Sequence, residues 1–202
     1  MMTLFFSPLS PFVRKVRMTA AMKGLEAQIK SVNTDATAGD PALNASNPLG
    51  KLPSLLLANG ETIHDSPVIC EYLDSIGSGP LLFPKAGPER WRSLTLAATA
   101  DGITECALFI VYEKRFRPEA MYVQSWVDRQ QGKLDRALAM LEQSPPVWGA
   151  HPDYGHLTLA AALGYLDLRQ DGRWRKDHPK LVAWLDKFAN AVPSFNATKP
   201  VA

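Results

Sequence analysis

The chain has 202 residues, 46% of them hydrophobic, so it is long enough to bury one large hydrophobic core or two small ones. Its 22 lysines and arginines nearly balance its 20 aspartates and glutamates, so the net charge gives no reason to expect nucleic acid as a partner. The chain has only two cysteines, Cys70 and Cys106, which excludes a disulfide scaffold and makes the reducing cytoplasm the expected location. It has no run of about 18 apolar residues, so no membrane span is predicted.

The first 76 residues predict alternating strands and helices. Asn59-Gly60, between two apolar runs, is typical of a tight antiparallel hairpin. The order βαβ, a short helix, then ββα predicts an α/β domain of the thioredoxin-like type. In chain order the predicted elements are a strand at 2–6, a helix from Ser10-Pro11 to 22, a strand at 25–32, a short helix from Asp40-Pro41, strands at 54–57 and 62–64, and a helix from Ser66-Pro67 to 76.

The first helix is predicted to be amphipathic. Ser10 followed by Pro11 is typical of an N-cap and a first helical position. The apolar residues that follow recur at helical spacing, which predicts one buried face. The basic residues between them are expected to lie on a solvated face; they are Arg14, Lys15 and Arg17.

After residue 88 the sequence predicts helices only. Gly and Pro are frequent between 77 and 88, which indicates a linker. Four segments with helical spacing follow, separated by prolines and glycines, and predict an all-helical second domain. The predicted helices cover 91–114, 121–142, 157–170 and 179–190, and Trp126, Trp148, Trp174 and Trp184 are expected in their core. The predicted domains are 1–78 and 89–202, with the linker at 79–88.

Two helices of the first domain begin with Ser-Pro, at Ser10 and at Ser66. Both follow strands of one sheet, so their N-termini are expected to face a common crevice at the edge where the strands end. Helix N-termini carry unsatisfied N–H groups and a partial positive charge, which favours an anionic ligand. A small peptide with carboxylates and a thiol suits such a crevice.

Three motifs stand in order in the first domain: Ser-Pro-Leu-Ser-Pro-Phe-Val-Arg-Lys-Val-Arg at 7–17, Asn-Pro-Leu-Gly-Lys-Leu-Pro at 47–53, and Ile-His-Asp-Ser-Pro-Val-Ile-Cys-Glu-Tyr-Leu at 63–73. Together they resemble the glutathione S-transferases over nearly the whole chain, in a bacterial, serine-type form. The linker sequence Leu-Phe-Pro at 82–84, His-Pro at 178–179 and Pro-Ser-Phe at 193–195 fit the same family. The resemblance implies a thioredoxin-like domain followed by a helical bundle.

The resemblance also implies how glutathione would be held. Leu52-Pro53 would form a cis-proline turn that presents the backbone of Leu52 to the peptide. Lys51 would reach the glycyl carboxylate, although a solvated lysine is an equal alternative. Asp65 would take the γ-glutamyl ammonium, and Ser66, with its helix N-terminus, would take the carboxylate; a plain N-cap is the simpler reading of Ser66.

Ser10 is the candidate catalytic residue, because a hydroxyl that donates to the ligand's sulfur favours thiolate over thiol. The alternative is that Ser10 only caps its helix, and one hydroxyl can do both. Ser7, at the end of the first strand, is a competing donor with a more probable role in the turn. No tyrosine precedes Tyr72, so the tyrosine-type variant of the family is excluded. No cysteine stands at position 10, which disfavours the thiol-disulfide exchange of the cysteine-type variant.

The helical domain offers fewer distinctive residues. By family resemblance Asp101 would reach ligand bound to the neighbouring subunit of a homodimer. His151 and His156 lie in a Pro/Gly loop without metal-ligand spacing, so no metal is expected. The family's capping box is half missing, because Thr158 is followed three residues later by Ala161. Candidates for the electrophile pocket are Phe12, Ile103, Ala107 and Ile110, although core packing explains the last three equally well.

The function expected from this resemblance is conjugation of glutathione to a small apolar electrophile. Two alternatives stay open: a non-catalytic protein that binds glutathione, and a glutathione-dependent isomerase or dehalogenase. The serine-cysteine signature of the zeta-type isomerases is absent around Ser10. Its absence makes the isomerase a less favoured alternative but does not exclude it.

Overall fold

The computed structural model describes residues 1–200, which divide into two compact units. One unit contains Met1–Lys85 together with residues 192–200, and the other contains Ala86–Ala191. They are called here the N-terminal unit and the helical unit. The functional domain boundaries predicted at 78 and 89 stay a prediction, whereas by contacts alone residues 192–200 pack with the N-terminal unit.

The N-terminal unit is built on a four-stranded mixed sheet. Its strands are β1 (Met2–Phe6), β2 (Ile29–Asn33), β3 (Ser54–Leu56) and β4 (Thr62–His64), in the spatial order β2-β1-β3-β4. Strand β2 is parallel to β1, and β3 and β4 run antiparallel to their neighbours. This parallel unit followed by a hairpin confirms the predicted thioredoxin-like sheet. The predicted strand at 25–32 starts late, because Glu26–Gln28 forms a 3₁₀ turn.

Four helices complete the N-terminal unit. Helices α1 (Pro11–Met22) and α3 (Ser66–Ile76) pack against each other beside the sheet. The core of the unit contains Leu4, Val16, Leu55, Ile69 and Leu73. Removal of such side chains from water is the main term that stabilises the unit. The helices of this unit are α1 (Pro11–Met22), α2 (Pro41–Ser46), α3 (Ser66–Ile76) and α8 (Ser194–Ala197).

The prediction of a solvated basic face on α1 is wrong for Arg14 and Lys15, which are both buried. The guanidinium carbon of Arg14 lies 4.0 Å from the ring centroid of Phe195, and Nη2 donates to the Phe195 carbonyl at 2.7 Å. The segment that contains α8 therefore covers this side of α1. Lys15 Nζ lies 5.6 Å from the ring centroid of Phe12, and Arg17 is half-buried. Burial is tolerated because the long side chains have carbonyl and aromatic neighbours.

The start of the predicted linker is fixed to the N-terminal unit by Asp74, a buried residue of α3. Its carboxylate accepts hydrogen bonds from the backbone N–H groups of Leu82 and Phe83, both at 3.0 Å. It also pairs with Lys23 Nζ at 3.0 Å. Leu82 and Phe83 are buried, as expected for a docked linker, while Leu81 is exposed.

The helical unit consists of four long helices. Helix α6 is its centre, because nearly every residue from Tyr154 to Leu166 is buried, and it packs along α4. Gly155 allows this approach: a Cβ there would lie 2.5 Å from the carbonyl oxygen of Ser93. This confirms the predicted all-helical second domain. The helices are α4 (Gly87–Phe116), α5 (Gln124–Gln143), α6 (Tyr154–Arg169) and α7 (Pro179–Ala191), with 3₁₀ turns at Glu119–Met121 and Arg173–Lys176.

The prediction of an incomplete capping box is wrong, because the box lies five residues earlier. Asp153 is the N-cap of α6, and its Oδ1 accepts from the His156 backbone N–H at 3.2 Å. The His156 ring nitrogen Nδ1 lies 2.6 Å from Asp153 Oδ1 and 3.3 Å from the Asp153 backbone nitrogen, which closes the box. His156 therefore lies in the first helical turn and not in a loop. Thr158 lies inside the helix, where its hydroxyl donates to the Tyr154 carbonyl.

The tryptophans of the helical unit divide between core and surface. Trp174 and Trp184 are buried, and Trp148 packs edge-on against Trp184 with 5.6 Å between ring centroids. The core prediction is wrong for Trp126, which is 41% exposed. Helix α4 is long and apolar enough to cross a membrane, but length and composition alone do not distinguish such a span from a helix packed in a protein core.

Candidate functional site

The register of the sheet brings three segments to one end of it. Phe5 of β1 pairs with Ser54 of β3, and Ser54 pairs with His64 of β4. Strand β1 runs toward this end, β3 begins there, and β4 runs toward it. The residues after β1, before β3 and after β4 are therefore neighbours in space. These residues belong to the three motifs singled out in the sequence: 7–10, 51–53 and 65–66.

Ser10 lies at the N-cap of α1. Its Oγ accepts a hydrogen bond from the Val13 backbone N–H at 3.3 Å, and its own N–H donates to the Ser7 carbonyl at 3.1 Å. The side chain is half-buried. Because a hydroxyl that accepts from a backbone N–H keeps its own proton, Ser10 can cap the helix and also donate to a ligand. Ser7 closes the turn with its carbonyl group.

The peptide bond between Leu52 and Pro53 is cis, as the resemblance implied. The loop that leads into it is held by Asn47, a buried residue. Asn47 Nδ2 donates to the Lys51 carbonyl at 2.9 Å, and its Oδ1 accepts from the Leu49 backbone N–H at 3.0 Å. In the sequence Asn47 was identified only as part of the motif at 47–53, so its role in positioning the loop was not predicted. An Asn-Pro pair before a glycine is the pattern that could have indicated it.

A pair of serine hydroxyls fixes the other side of this turn. Ser46, at the end of α2, and Ser54, at the start of β3, are both buried, with 2.7 Å between their Oγ atoms. Ser54 Oγ also donates to the Ser46 carbonyl at 3.3 Å. The first residue of β3 is thus tied to the helix before the turn. Lys51 is exposed beside this turn, in agreement with both alternatives considered for it.

Asp65, and not Ser66, is the N-cap of α3, which corrects the reading of Ser66 as a plain cap. Asp65 has a φ of 71°, a backbone conformation that residues with a Cβ rarely adopt. Its carboxylate makes no capping hydrogen bond and is exposed. Ser66 follows as a buried first helical residue. A strained residue whose charged group does not serve its own helix is typical of a binding site.

The residues proposed for the electrophile differ in exposure. Ile103 and Ala107, on α4, are each 1% exposed, which favours core packing for both. Phe12 on α1 and Ile110 on α4 are half-buried, so part of each side chain can contact a ligand. Asp101 on α4 is also half-buried.

Neither cysteine is placed to act as a nucleophile. Cys70 and Cys106 are buried and form no disulfide within the described residues 1–200. Burial raises the pKa of the Cys106 thiol, more than the nearby Lys133 lowers it, so the thiol stays protonated near neutral pH. Within residues 1–200 no three His, Cys, Asp or Glu side chains converge on a common point where a metal ion could bind.

Comparison with known proteins identifies relatives over the full length. Residues 9–76 match the family described as glutathione S-transferase, N-terminal domain, and residues 124–187 match glutathione S-transferase, C-terminal domain. The chain is 33% identical over 203 residues to the GST-like protein YibF of Escherichia coli (strain K12), covering 98% of each chain.

A solved structure of similar architecture carries a ligand. It is a glutathione transferase family member from Pseudomonas fluorescens Pf-5 with bound glutathione, 41% identical, with a TM-score of 0.91 and full coverage of both chains. A second crystal structure of a Pf-5 family member contains S-(propanoic acid)-glutathione, at 40% identity and a TM-score of 0.90, again over the whole of both chains. A maleylacetoacetate isomerase of Pseudomonas aeruginosa is 37% identical over 87 residues, 42% of this chain and 41% of the isomerase.

Proposed function

The chain belongs to the glutathione S-transferase family, and from this premise we propose that it binds glutathione at the end of its sheet and activates the thiol as a thiolate. The thiolate then attacks a small apolar electrophile and forms a thioether, either by displacing a leaving group such as a halide ion or by adding to an activated double bond whose other carbon takes up a proton. The observation that carries this proposal is the sheet register, which gathers Ser10, Leu52 and Asp65 at one end. The relative from Pseudomonas fluorescens that binds glutathione supports it.

In this proposal the Ser10 hydroxyl donates a hydrogen bond to the glutathione thiolate and keeps its proton. A hydrogen bond to a charged group contributes about 1.5–3 kcal/mol. Because about 1.4 kcal/mol corresponds to one pKa unit, the bond lowers the thiol pKa by roughly one to two units. A thiol with an ordinary pKa of about 8.5 then titrates near neutrality. The N-terminus of α1 adds to the effect with its partial positive charge.

The remaining residues of the site hold the tripeptide. The exposed carboxylate of Asp65 takes the γ-glutamyl ammonium, while Ser66 and the N-terminus of α3 take the γ-glutamyl carboxylate. Leu52, before the cis Pro53, pairs its backbone with the peptide as an added strand would. Lys51 takes the glycyl carboxylate. Asn47 acts through Lys51 and Leu52 by fixing their loop.

The electrophile and the assembly complete the proposal. Phe12 and Ile110 keep a partly exposed apolar surface for the electrophile, whereas the burial of Ile103 and Ala107 assigns them to the core. Asp101 reaches the ligand of the neighbouring subunit in a homodimer. The protein works in the cytoplasm, where it removes electrophiles and where its two cysteines stay reduced.

Two other functions follow from the same site. Binding of glutathione without turnover needs the same residues. Isomerisation, in which the thiolate adds to a double bond, lets it rotate and leaves again, is favoured by the partial match to the maleylacetoacetate isomerase. In that reaction glutathione is regenerated, so consumption of free thiol separates conjugation from isomerisation.

A titration of bound glutathione tests the role of Ser10. The ultraviolet absorbance of the thiolate is followed against pH for the wild type, Ser10→Ala and the control Ser7→Ala. We expect the wild type and Ser7→Ala to share a lowered thiol pKa, and Ser10→Ala to show a pKa about one to two units higher with glutathione still bound. An unchanged thiol pKa in Ser10→Ala would overturn the assignment. Calorimetry that detects no glutathione binding to the wild type would overturn the proposed function itself.

A further inference from the structure

The tip of the β3–β4 hairpin carries the only Asn-Gly pair of the sequence, Asn59-Gly60. The Gly60 N–H donates to the Leu57 carbonyl at 3.1 Å, and the Leu57 N–H donates to the Glu61 carbonyl at 2.8 Å, which closes a tight turn. Gly60 has a φ of 89°, and a Cβ there would meet no atom within 4 Å. Asn59, Gly60 and Glu61 are all exposed, so water reaches the pair freely.

An asparagine followed by glycine can lose its side-chain amide. The Gly60 nitrogen attacks Cγ of Asn59, and glycine has no side chain to hinder the approach. The N–C bond forms, the Cγ–Nδ2 bond breaks, and ammonia leaves with the proton of the Gly60 nitrogen. Water then opens the cyclic imide at either carbonyl and leaves aspartate or isoaspartate. The reaction consumes water and releases ammonia, so it needs no oxidant, cofactor or second enzyme.

Two hydrogen bonds hold the Asn59 side-chain amide. Oδ1 accepts from the Glu61 backbone N–H at 3.1 Å, and Nδ2 donates to Glu61 Oε2 at 2.8 Å. Exchange of oxygen and nitrogen would set an oxygen against the carboxylate, so the hydrogen bonds settle the orientation of the amide. Ring closure makes Cγ tetrahedral and redirects both of its polar bonds. Neither hydrogen bond keeps its geometry, and both therefore oppose the reaction.

The Glu61 carboxylate also opposes the reaction by its charge. The Gly60 nitrogen has to give up its proton, and the tetrahedral intermediate carries a negative charge on Asn59 Oδ1. A carboxylate oxygen 2.8 Å from Nδ2 raises the energy of that intermediate. Because the turn is exposed, water and salt screen part of this repulsion. The Leu57 carbonyl, which accepts from the Gly60 N–H, holds the proton in place as well.

We infer that Asn59 is a site of spontaneous deamidation and that Glu61 sets its rate by holding the side-chain amide. The reaction adds a negative charge beside the Glu61 carboxylate, and isoaspartate lengthens the backbone of the turn by a methylene group. The strands Ser54–Leu56 and Thr62–His64 pair directly from this turn, so the modification acts on their pairing. The inference involves residues of the N-terminal unit only and does not require glutathione, so it stands independently of the proposed function.

Peptide mapping by mass spectrometry tests the site, with the full chain incubated in mildly alkaline buffer. Aspartate and isoaspartate at position 59 are followed over time in the wild type, Glu61→Ala and Glu61→Gln. We expect Glu61→Ala to react about three to ten times faster than the wild type, which is the factor that one exposed hydrogen bond to a charged group supplies. Glu61→Gln keeps an acceptor without the charge, so its rate should lie between. Three asparagines without a following glycine are internal references in the same digests and should stay amides: Asn44, Asn190 and Asn196.

Glu26→Ala is the matched control. Glu26 is an exposed glutamate of the same unit just before β2, which lies at the opposite edge of the sheet from β4. Loss of its charge should leave the rate at Asn59 unchanged. An Asn59 that stays intact in Glu61→Ala, equal rates in Glu61→Ala and the wild type, or equal acceleration in Glu26→Ala would overturn the inference. Circular dichroism checks that each variant is folded, and Glu61→Gln stays informative if Glu61→Ala is not.

Discussion

Asp65 combines a φ of 71° with a ψ of 129°, and a Cβ clashes with the neighbouring backbone in this region. Such a conformation costs of order 1–3 kcal/mol and persists only where the surroundings enforce it. Here the enforcement comes from both sides, since β4 ends at His64 and α3 begins at Ser66. The strain places the carboxylate at the sheet end, where the proposed ammonium ligand binds.

Replacement of Asp65 by glycine separates this strain from binding. We expect Asp65→Gly to raise the free energy of unfolding by about 1 kcal/mol, because glycine adopts positive φ without a Cβ clash. The same change should weaken glutathione binding through loss of the carboxylate. Denaturant unfolding and calorimetric titration measure the two effects. Asp65→Asn is the control, since it keeps the strain and removes only the charge; a glycine variant less stable than the asparagine variant would contradict the account.

The residues of the candidate site were predictable to different degrees. The cap at Ser10 followed from a local pattern, because a cap is predicted from adjacent residues, whereas the cis turn at Leu52-Pro53 was implied by the family resemblance. The capping position of Asp65 was not predictable in this way, because its positive φ is imposed by how β4 meets α3. The positioning role of Asn47 was not predicted for a similar reason: its hydrogen bonds are local, but its burial depends on the packed loop.

At the scale of elements, helix α6 depends on the capping box at its N-terminus. Burial alone would raise the pKa of Asp153, but hydrogen bonds from His156 and Ser93 and the charge of His156 lower it overall. A carboxyl group whose pKa is lowered by folding stabilises the fold above its unfolded pKa of 3.8, and this contribution is lost as the pH falls below that value. Because of this box, the stability of the central helix decreases as the pH falls into the acid range.

Two substitutions of Asp153 test the box. Asp153→Ala should lower the free energy of unfolding by about 1–2 kcal/mol at pH 7, since it removes an N-cap acceptor. Asp153→Asn keeps a good cap without the charge, so its loss should be smaller. Urea unfolding between pH 7 and pH 3 is the measurement. The wild type should lose its advantage over Asp153→Asn as the pH falls; a constant difference between them would contradict the linkage.

The order of the elements was predictable because each is bounded by strong local patterns: Ser-Pro and Asp-Pro starts, a glycine after the helix, and an Asn-Gly hairpin. The sequence did not predict correctly which helix faces are buried and which are exposed. Arg14 and Lys15 are on the polar side of α1 by periodicity, yet both are buried, and Phe195 covers Arg14 from more than 170 residues away. Trp126 was predicted to lie in the core as a large aromatic residue, yet its side chain is exposed on α5. Neither the burial of Arg14 and Lys15 nor the exposure of Trp126 can be predicted from the residues beside them in the sequence.

At the scale of the whole molecule, each unit exposes an apolar groove. On the N-terminal unit the groove is lined by Ile63, Val68 and Tyr72, among others, and Val68 is 53% exposed. On the helical unit it is lined by Trp91, Leu96 and Met140, among others, and Trp91 is 66% exposed. Exposed apolar patches are typical of interaction surfaces. The proposed homodimer gives them a partner of the same chain.

A charge placed in either groove should therefore dissociate the homodimer. We expect light scattering to report a dimer for the wild type and a monomer for Val68→Glu and Trp91→Glu, because a carboxylate buried without a partner costs several kcal/mol. Each site is exposed within its own chain, so the fold should persist, and circular dichroism checks this. Val147→Glu is the control, at a residue 85% exposed outside both grooves. A wild type that scatters as a monomer would contradict the homodimer, and dimeric Val68→Glu and Trp91→Glu would exclude these grooves as its interface.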